Sequence, residues 1–143
     1  MGNIDTITAI TDNLQNVLKA LGINFSREVY EDVDKVPASL LPHGQIFYVR
    51  EEFEYAHGQK PEYATASFLI RVIIAGQDAQ NLIRVQQKWV HLIREGLTVN
   101  TLNVGGLVTS KLINLVTTES VDVANQPVKC TLNYRVNVRY REV

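Results

Sequence analysis

The pattern of apolar positions predicts a fold that begins with an amphipathic helix. Between Ile4 and Leu21, apolar residues recur at steps of three and four positions, which places them on one face of a helix. Gly22 follows the last of them and suits the left-handed conformation that often ends a helix. Because only one face is apolar, we expect this helix to lie against a flat layer such as a sheet.

Segments rich in strand-forming residues follow this helix. They predict strands over 45–55, 63–75, 112–118 and 128–140, with a shorter candidate over 25–30 and compact turns over 38–41, 56–61 and 125–127. The centre of the segment 63–75 is apolar on both faces except at Arg71, which predicts a central strand in a sheet that is covered on both sides.

A second helix is predicted between these strands. Asp78 occupies a position typical of a helix cap, the helix extends over 79–95, and Gly96 is predicted to end it. Within this helix Trp89 is expected to anchor the helix on the sheet. The following segment, 98–110, shows little periodicity and is therefore predicted to be a long loop, of the kind that often has a function or forms an interface.

The last predicted strand alternates most clearly. From Cys130 to Tyr140 every second residue suits a core, while the residues between them are polar or basic. One face of this strand is thus core, and the other faces water, a partner or a channel. Together the elements predict a single α+β domain over 1–143, with an antiparallel or mixed sheet of about four to five strands and two helices packed on one face.

Composition narrows the class of protein further. The only cysteine, Cys130, excludes an intrachain disulfide framework and a cysteine-based zinc site, and favours a reducing compartment. The formal net charge of −1 argues against tight, charge-driven binding of nucleic acid. No apolar run approaches the roughly 18 residues of a membrane span, and no secretory leader is recognisable. We therefore expect an intracellular protein without a membrane partner.

The charge is unevenly divided along the chain. Residues 1–60 contain five basic and nine acidic residues, a net of −4, which leaves +3 for residues 61–143 given the total of −1. One interpretation is ordinary scatter over a solvated surface. The other is a subunit with an acidic and a basic face that meet between copies, as a head-to-tail ring requires.

Candidate chemistry is sparse. The three histidines His43, His57 and His91 are scattered without metal-ligand spacing, and Cys130 falls on the apolar face of its strand. The pair Gly105-Gly106 lacks the further residues of a phosphate-binding loop. The sequence therefore predicts no catalytic residues, no metal site and no cofactor, and a protein that is not an enzyme.

Two charged groups remain as candidate binding surfaces. One group consists of the carboxylates Glu51, Glu52 and Glu54, which lie close together at the end of one strand. They predict either a solvated hairpin or an acidic surface that docks a partner or repels DNA phosphates. The other group consists of the basic residues of the last strand, Lys129, Arg135, Arg139 and Arg141. They lack interleaved aromatic residues on which bases could stack, so they predict a subunit interface, a solvated edge or a weak contact with phosphates.

The order of elements resembles a known family. An opening helix over Thr6–Leu21 is followed by the Pro-punctuated segment VDKVPASLLPHGQIFYV, a long hairpin, the strand-to-helix segment FLIRVIIAGQDAQNLIRVQQKWVHLIREGL and the closing strand CTLNYRVNVRYREV. This order is similar to that of the small tail terminator or tail completion proteins of long-tailed bacteriophages, the class of the lambda minor tail protein U.

The resemblance implies a structural role. Members of that family form hexameric rings that cap the tail tube, end its polymerisation and supply the surface that joins the tail to the head. The implied partners are further copies of the chain, the tail tube protein and a head–tail connector or neck protein, with DNA only as a passing, non-specific contact. The implied location is the tail or neck of the virion, after assembly in the host cytoplasm.

From this resemblance we predict two surfaces. The acidic residues of the first hairpin are expected to contact the tube or line the central hole. The last strand and the segment 98–110 are expected to reach a neighbour by extending its sheet. The subunit interface is expected at Lys129, Arg135, Arg139, Arg141, Gly105 and Gly106. The alternatives are another neck or head–tail adaptor protein and, from a different class, a small ligand-binding or enzymatic α+β domain.

Overall fold

Helices cover one face of an antiparallel sheet in the computed structural model, which describes residues 3–25, 38–55, 62–76, 78–121 and 128–141. The strands follow the order β1-β2-β4-β3, and every neighbouring pair is antiparallel. The predicted α+β class is therefore confirmed, and the sheet is antiparallel rather than mixed. The elements are α1 (Asn3–Ala20), a 3-10 turn (Ala38–Leu40), β1 (His43–Glu54), β2 (Tyr63–Gly76), α2 (Ala79–Gly96), α3 (Val99–Leu102), β3 (Val108–Val121) and β4 (Val128–Arg141).

The core lies between the two central strands and the helices. Alternate residues of β2 from Ala64 to Ile74 and of β4 from Cys130 to Tyr140 are buried. Trp89 of α2 is also buried, as predicted for an aromatic anchor. Side chains from α1 and α2 close this core, and they are Ile10, Leu14 and Leu18 from α1 and Leu82, Trp89 and Ile93 from α2.

The sheet face opposite the helices, here called the polar face, is only partly covered. On β2 its residues alternate with the core residues, and Ile73 and Ser67 are buried whereas Leu69 and Arg71 are half-buried. The prediction of a central strand is confirmed, because β2 lies between β1 and β4. On this face of β2, burial holds at Ile73 and Ser67 but not along the whole strand.

The second helix ends at Gly96, as predicted to within one position, but Gly96 is not a left-handed cap. It is the last residue of α2, and the backbone N–H that closes the helix belongs to Leu97, which donates to the Ile93 carbonyl at 3.1 Å. A Cβ at position 96 would lie 3.1 Å from Leu21 Cδ1, so the glycine allows α1 to approach α2 closely. Gly22, in contrast, adopts φ 103° and ends α1 as predicted.

The segment 98–110 is not the long loop that was predicted. Thr98 and Thr101 form a capping box, in which the Thr101 backbone N–H donates to Thr98 Oγ1 at 3.1 Å and the Thr98 N–H donates to Thr101 Oγ1 at 2.9 Å. This box starts α3, and β3 already begins at Val108. The sequence signal was the Thr-x-x-Thr spacing, in which Thr101 takes the place of the usual Glu or Gln.

The last strand does not extend a neighbour's sheet, which corrects a further prediction. β4 pairs with β2 along Tyr63–Gly76 on one side and with β3 from Val108 to Val121 on the other. Its backbone is thus already committed on both sides, and the edge strands among those described are β1 and β3. The candidate strand 25–30 has only Phe25 inside the described residues, where it is not in a strand, and the turns 56–61 and 125–127 lie outside them.

Candidate functional surfaces

Arg139 of β4 connects the described strands at one end of the sheet. Its Nε donates to Glu54 Oε2 of β1 at 2.9 Å, its guanidinium lies 3.9 Å from the ring centroid of Tyr63 on β2, and a terminal NH group donates to Thr109 Oγ1 of β3 at 3.2 Å. The hydrogen bond from Arg139 lowers the pKa of Glu54, and the same bond raises the pKa of Arg139. One predicted interface residue is therefore engaged within the subunit.

The three carboxylates of β1 do not form one acidic cluster. Glu51 lies on the helix side of the sheet, opposite Ala66, where its carboxylate accepts a hydrogen bond from Tyr140 Oη. Glu52 and Glu54 lie on the polar face, opposite Thr65 and Tyr63. The alternation of strand residues separates Glu51 from the other two, and the β-bulge between Tyr48 and Arg50 decides which face each of them occupies.

Glu51 also affects a neighbouring tyrosine. Partial burial and, after it, the hydrogen bond with Glu51 raise the pKa of Tyr48 to about 12. The Tyr48 ring packs edge-on against Phe68, with ring centroids 5.9 Å apart. The carboxylate of Glu51 thus interacts with two phenol groups, those of Tyr48 and Tyr140, and this end of β1 is fixed to the central strands.

The basic residues of β4 lie on one face, as predicted, but differ in exposure. Lys129 is 6% exposed and belongs to the subunit interior, whereas Arg135 and Arg141 are exposed. The polar face also carries buried side-chain atoms without a hydrogen-bond partner among the described residues, on Gln45, Thr131 and Asn137. Of the four predicted basic residues, Arg135 and Arg141 are thus the exposed ones.

The Gly105-Gly106 pair forms an exposed turn before β3. Both residues have positive φ, 57° and 77°, and the Leu107 N–H closes the turn by donating to the Val104 carbonyl at 2.9 Å. Arg141 N–H donates to the Leu107 carbonyl at 2.8 Å, so the turn lies beside the end of β4. The structure thereby brings these glycines close to one exposed basic residue of the predicted interface.

Exposed apolar side chains are concentrated at one edge of the sheet. Six large apolar residues are exposed in the described part of the chain, and four of them lie between 48 and 55, each at least 43% exposed. Sequence patterning did not identify this surface, because aromatic and β-branched residues in a strand are equally typical of a core. The four are Tyr48, Val49, Phe53 and Tyr55.

The residue types most often used in catalysis are dispersed. His43 is the first residue of β1 and is buried, which lowers its pKa, whereas His91 is exposed on α2 and His57 lies outside the described residues. Cys130 is buried, and its sulfur accepts a hydrogen bond from Gln86 Nε2 at 2.8 Å. Within the described ranges no three potential ligands among His, Cys, Asp and Glu come together as a metal site.

Comparisons with known proteins add a distant likeness of fold. No family model matches the chain, and a search of curated proteins finds no match. Among solved structures, the chain is similar to one described as "Virion of native gene transfer agent (GTA) particle", with 14% sequence identity, a TM-score of 0.41 and 92% of each chain covered. At that TM-score the likeness carries no argument about function. None of the described helices has the length and apolar character needed to span a membrane.

Proposed function

We propose that this protein is a non-enzymatic structural component of a phage virion, which assembles as a hexameric ring, caps the tail tube, ends its polymerisation and provides the surface for joining the head. The proposal starts from the family resemblance of the sequence. The described elements occur in the order on which that resemblance rests, with an opening helix, the antiparallel pair β1–β2, the strand-to-helix step β2–α2 and a long closing strand.

The exposed apolar edge of β1 is the observation that carries the proposal. Large apolar side chains that are exposed close together on a protein surface mark candidate sites of association. Here Tyr48, Val49 and Phe53 are exposed on β1, an edge strand among those described, and Tyr55 follows directly after it. Tyr48 and Phe53 lie on the helix side of the sheet, whereas Val49 lies at the bulge. An edge strand is also a place where a further strand can pair. A subunit with this surface is completed by assembly.

The two edges of the sheet differ, which suits a ring. The β1 edge combines apolar side chains with Glu52, while the β3 edge carries exposed Leu112 and lies next to Arg141 and the Gly105-Gly106 turn. A head-to-tail ring requires two different and complementary patches on each subunit. In the proposed ring the β1 edge of one copy therefore faces the β3 edge of the next.

The test is assembly on tail tubes. The purified chain is mixed with tail tube protein, and mass measurement by light scattering is combined with negative-stain images of tube ends. We expect a ring at tube ends and tubes that stop growing when the protein is added. A chain that stays monomeric at every concentration and never binds a tube end would overturn the proposal.

A further inference from the structure

A cavity of about 200 Å³ opens on the polar face where β1 carries its bulge. Pairing between β1 and β2 passes from Tyr48 opposite Phe68 to Arg50 opposite Ser67, so Val49 has no partner in the register. A bulge bends its strand and redirects side chains, and bulges are common next to functional sites. This bulge cavity is lined by Val49, Arg50, Ser67, Phe68, Leu69 and Arg135.

Two guanidinium groups flank the bulge cavity from opposite sides. Arg50 of β1 lies directly opposite Ser67 of β2, and Arg135 of β4 lies opposite Leu69 of the same central strand. The two arginines therefore come from the strands on either side of β2. A guanidinium fork matches the geometry of an oxyanion and binds it through two parallel hydrogen bonds.

The charges of these arginines are largely available. Arg50 has one ion pair among the described residues, at 3.6 Å to Glu52 Oε1, and both of these side chains are more than 60% exposed. An exposed pair of that length contributes little. Arg135 has no ion pair within the described part of the chain, whereas Arg139, further along the same face, is engaged by Glu54. Among the described residues, the bulge cavity is thus lined by two cationic side chains and by no carboxylate.

The walls of the bulge cavity strengthen an interaction with an anion. Ser67 is only 6% exposed, and its hydroxyl can donate a hydrogen bond to an oxygen held between the arginines. Val49 and Leu69 contribute apolar surface beside the two cations.

We propose that the bulge cavity binds a phosphate-type oxyanion between Arg50 and Arg135, with the Ser67 hydroxyl as an additional donor. The phosphate is either free or part of a polynucleotide backbone. The site goes beyond the proposed ring function and does not rest on it. One phosphate site per subunit holds a backbone without reading its bases, because phosphates carry no sequence information.

The experiment measures anion binding to the full chain at low ionic strength. Inorganic phosphate is titrated against chloride as background, with calorimetry and with the NMR signals of the arginine Nε–H groups as readouts. The variants are Arg50→Gln and Arg135→Gln, with Arg84→Gln as the matched control, since Arg84 is an exposed arginine on α2 away from the cavity. Thermal melts confirm that each variant folds.

We expect saturable binding with one phosphate per chain. Each cavity variant weakens it about tenfold, the effect of losing one charge-assisted contact, whereas the control leaves it unchanged. Glu52→Gln removes the competing carboxylate and tightens binding. An equal loss in Arg84→Gln, or no saturable binding to the wild-type chain, overturns the proposal.

A second arm separates the two sources of phosphate. A short DNA duplex is titrated under the same conditions. Duplex binding that Arg135→Gln weakens and Arg84→Gln does not weaken identifies the nucleic-acid backbone as the ligand. The free anion is the ligand if Arg135→Gln weakens the binding of phosphate but not the binding of the duplex. Neither outcome bears on ring assembly, which is measured separately at tube ends.

Discussion

Arg139 and Glu54 are joined across the sheet although they are 85 positions apart in the sequence. The guanidinium of Arg139 reaches from β4 over the ring of Tyr63 to the carboxylate of Glu54 on β1. Part of the opposite charge of the two halves of the chain is therefore neutralised within one subunit. On β4 itself, Arg135 and Arg141 are the basic residues that stay exposed.

Removing Arg139 is expected to destabilise the fold more than removing its acidic partner. Arg139→Ala loses the contacts with Glu54, Tyr63 and Thr109, whereas Glu54→Gln loses only the ion pair. Denaturant unfolding of both single variants and the double variant gives the coupling free energy of the pair. Strictly additive effects would show that the ion pair contributes nothing to stability.

The same pair gives a pH dependence with a defined sign. The pKa of Glu54 is lowered below its usual 4.5 in the folded state, so the unfolded state binds more protons as the pH falls. The stabilisation of the folded state by the Arg139–Glu54 pair is complete above pH 4.5, and it is lost as the pH falls through the lowered pKa of Glu54. We expect the stability difference between the wild-type chain and Glu54→Gln to shrink below pH 4.5 in unfolding experiments. A difference that stays constant would contradict the pairing.

Cys130 is expected to resist modification in the native state. Its side chain is fully buried and its sulfur accepts a hydrogen bond from Gln86, so a thiol reagent reaches it only after the fold opens. The reaction rate with a thiol-specific reagent should follow the population of unfolded chain as denaturant is added. The fast-reacting control is a double variant, in which Cys130→Ser removes the buried thiol and Asn100→Cys places a thiol at an exposed position on α3. Equal native rates for the two thiols would refute the burial.

Two glycines should differ in how strongly they respond to alanine. A Cβ at Gly76 would lie 2.7 Å from the Leu82 Cα, and this backbone cannot move aside, so Gly76→Ala should destabilise the chain by about 1–3 kcal/mol. At Gly96 the contact is with the flexible end of Leu21, and alanine favours the helix, so Gly96→Ala should change stability by less than about 1 kcal/mol. Chemical denaturation of both variants tests this order.

The exposed apolar edge of β1 should be needed for assembly rather than folding. Phe53→Lys and Tyr55→Lys place a charge in the proposed interface, and we expect fewer rings at tube ends with little change in the melting temperature of the free subunit. Ile83→Lys is the matched control, because the exposure of Ile83 lies between those of Phe53 and Tyr55 but Ile83 lies on α2. Rings that form normally with the two edge variants would remove this edge from the interface.

Local patterns in the sequence determined the class of fold and much of its core. Spacings of two and of three to four residues reflect the geometry of strands and helices, so α1, α2, the central strand β2 and the buried position of Cys130 were predicted from them. The helix cap at Asp78 was likewise predicted, and in the structure the Asp78 side chain accepts a hydrogen bond from the Asn81 N–H.

The tertiary structure decided how these elements meet. Strand order places β4 at the centre and leaves β1 and β3 as edges, and register brings Arg139 to Glu54 and Arg50 to the same cavity as Arg135. Without the bulge at Val49, simple alternation along β1 would place Glu51 on the polar face and Glu52 on the helix side. The bulge exchanges these two positions. These relationships join residues far apart in the chain, and their energies depend on register and packing, which no local periodicity encodes.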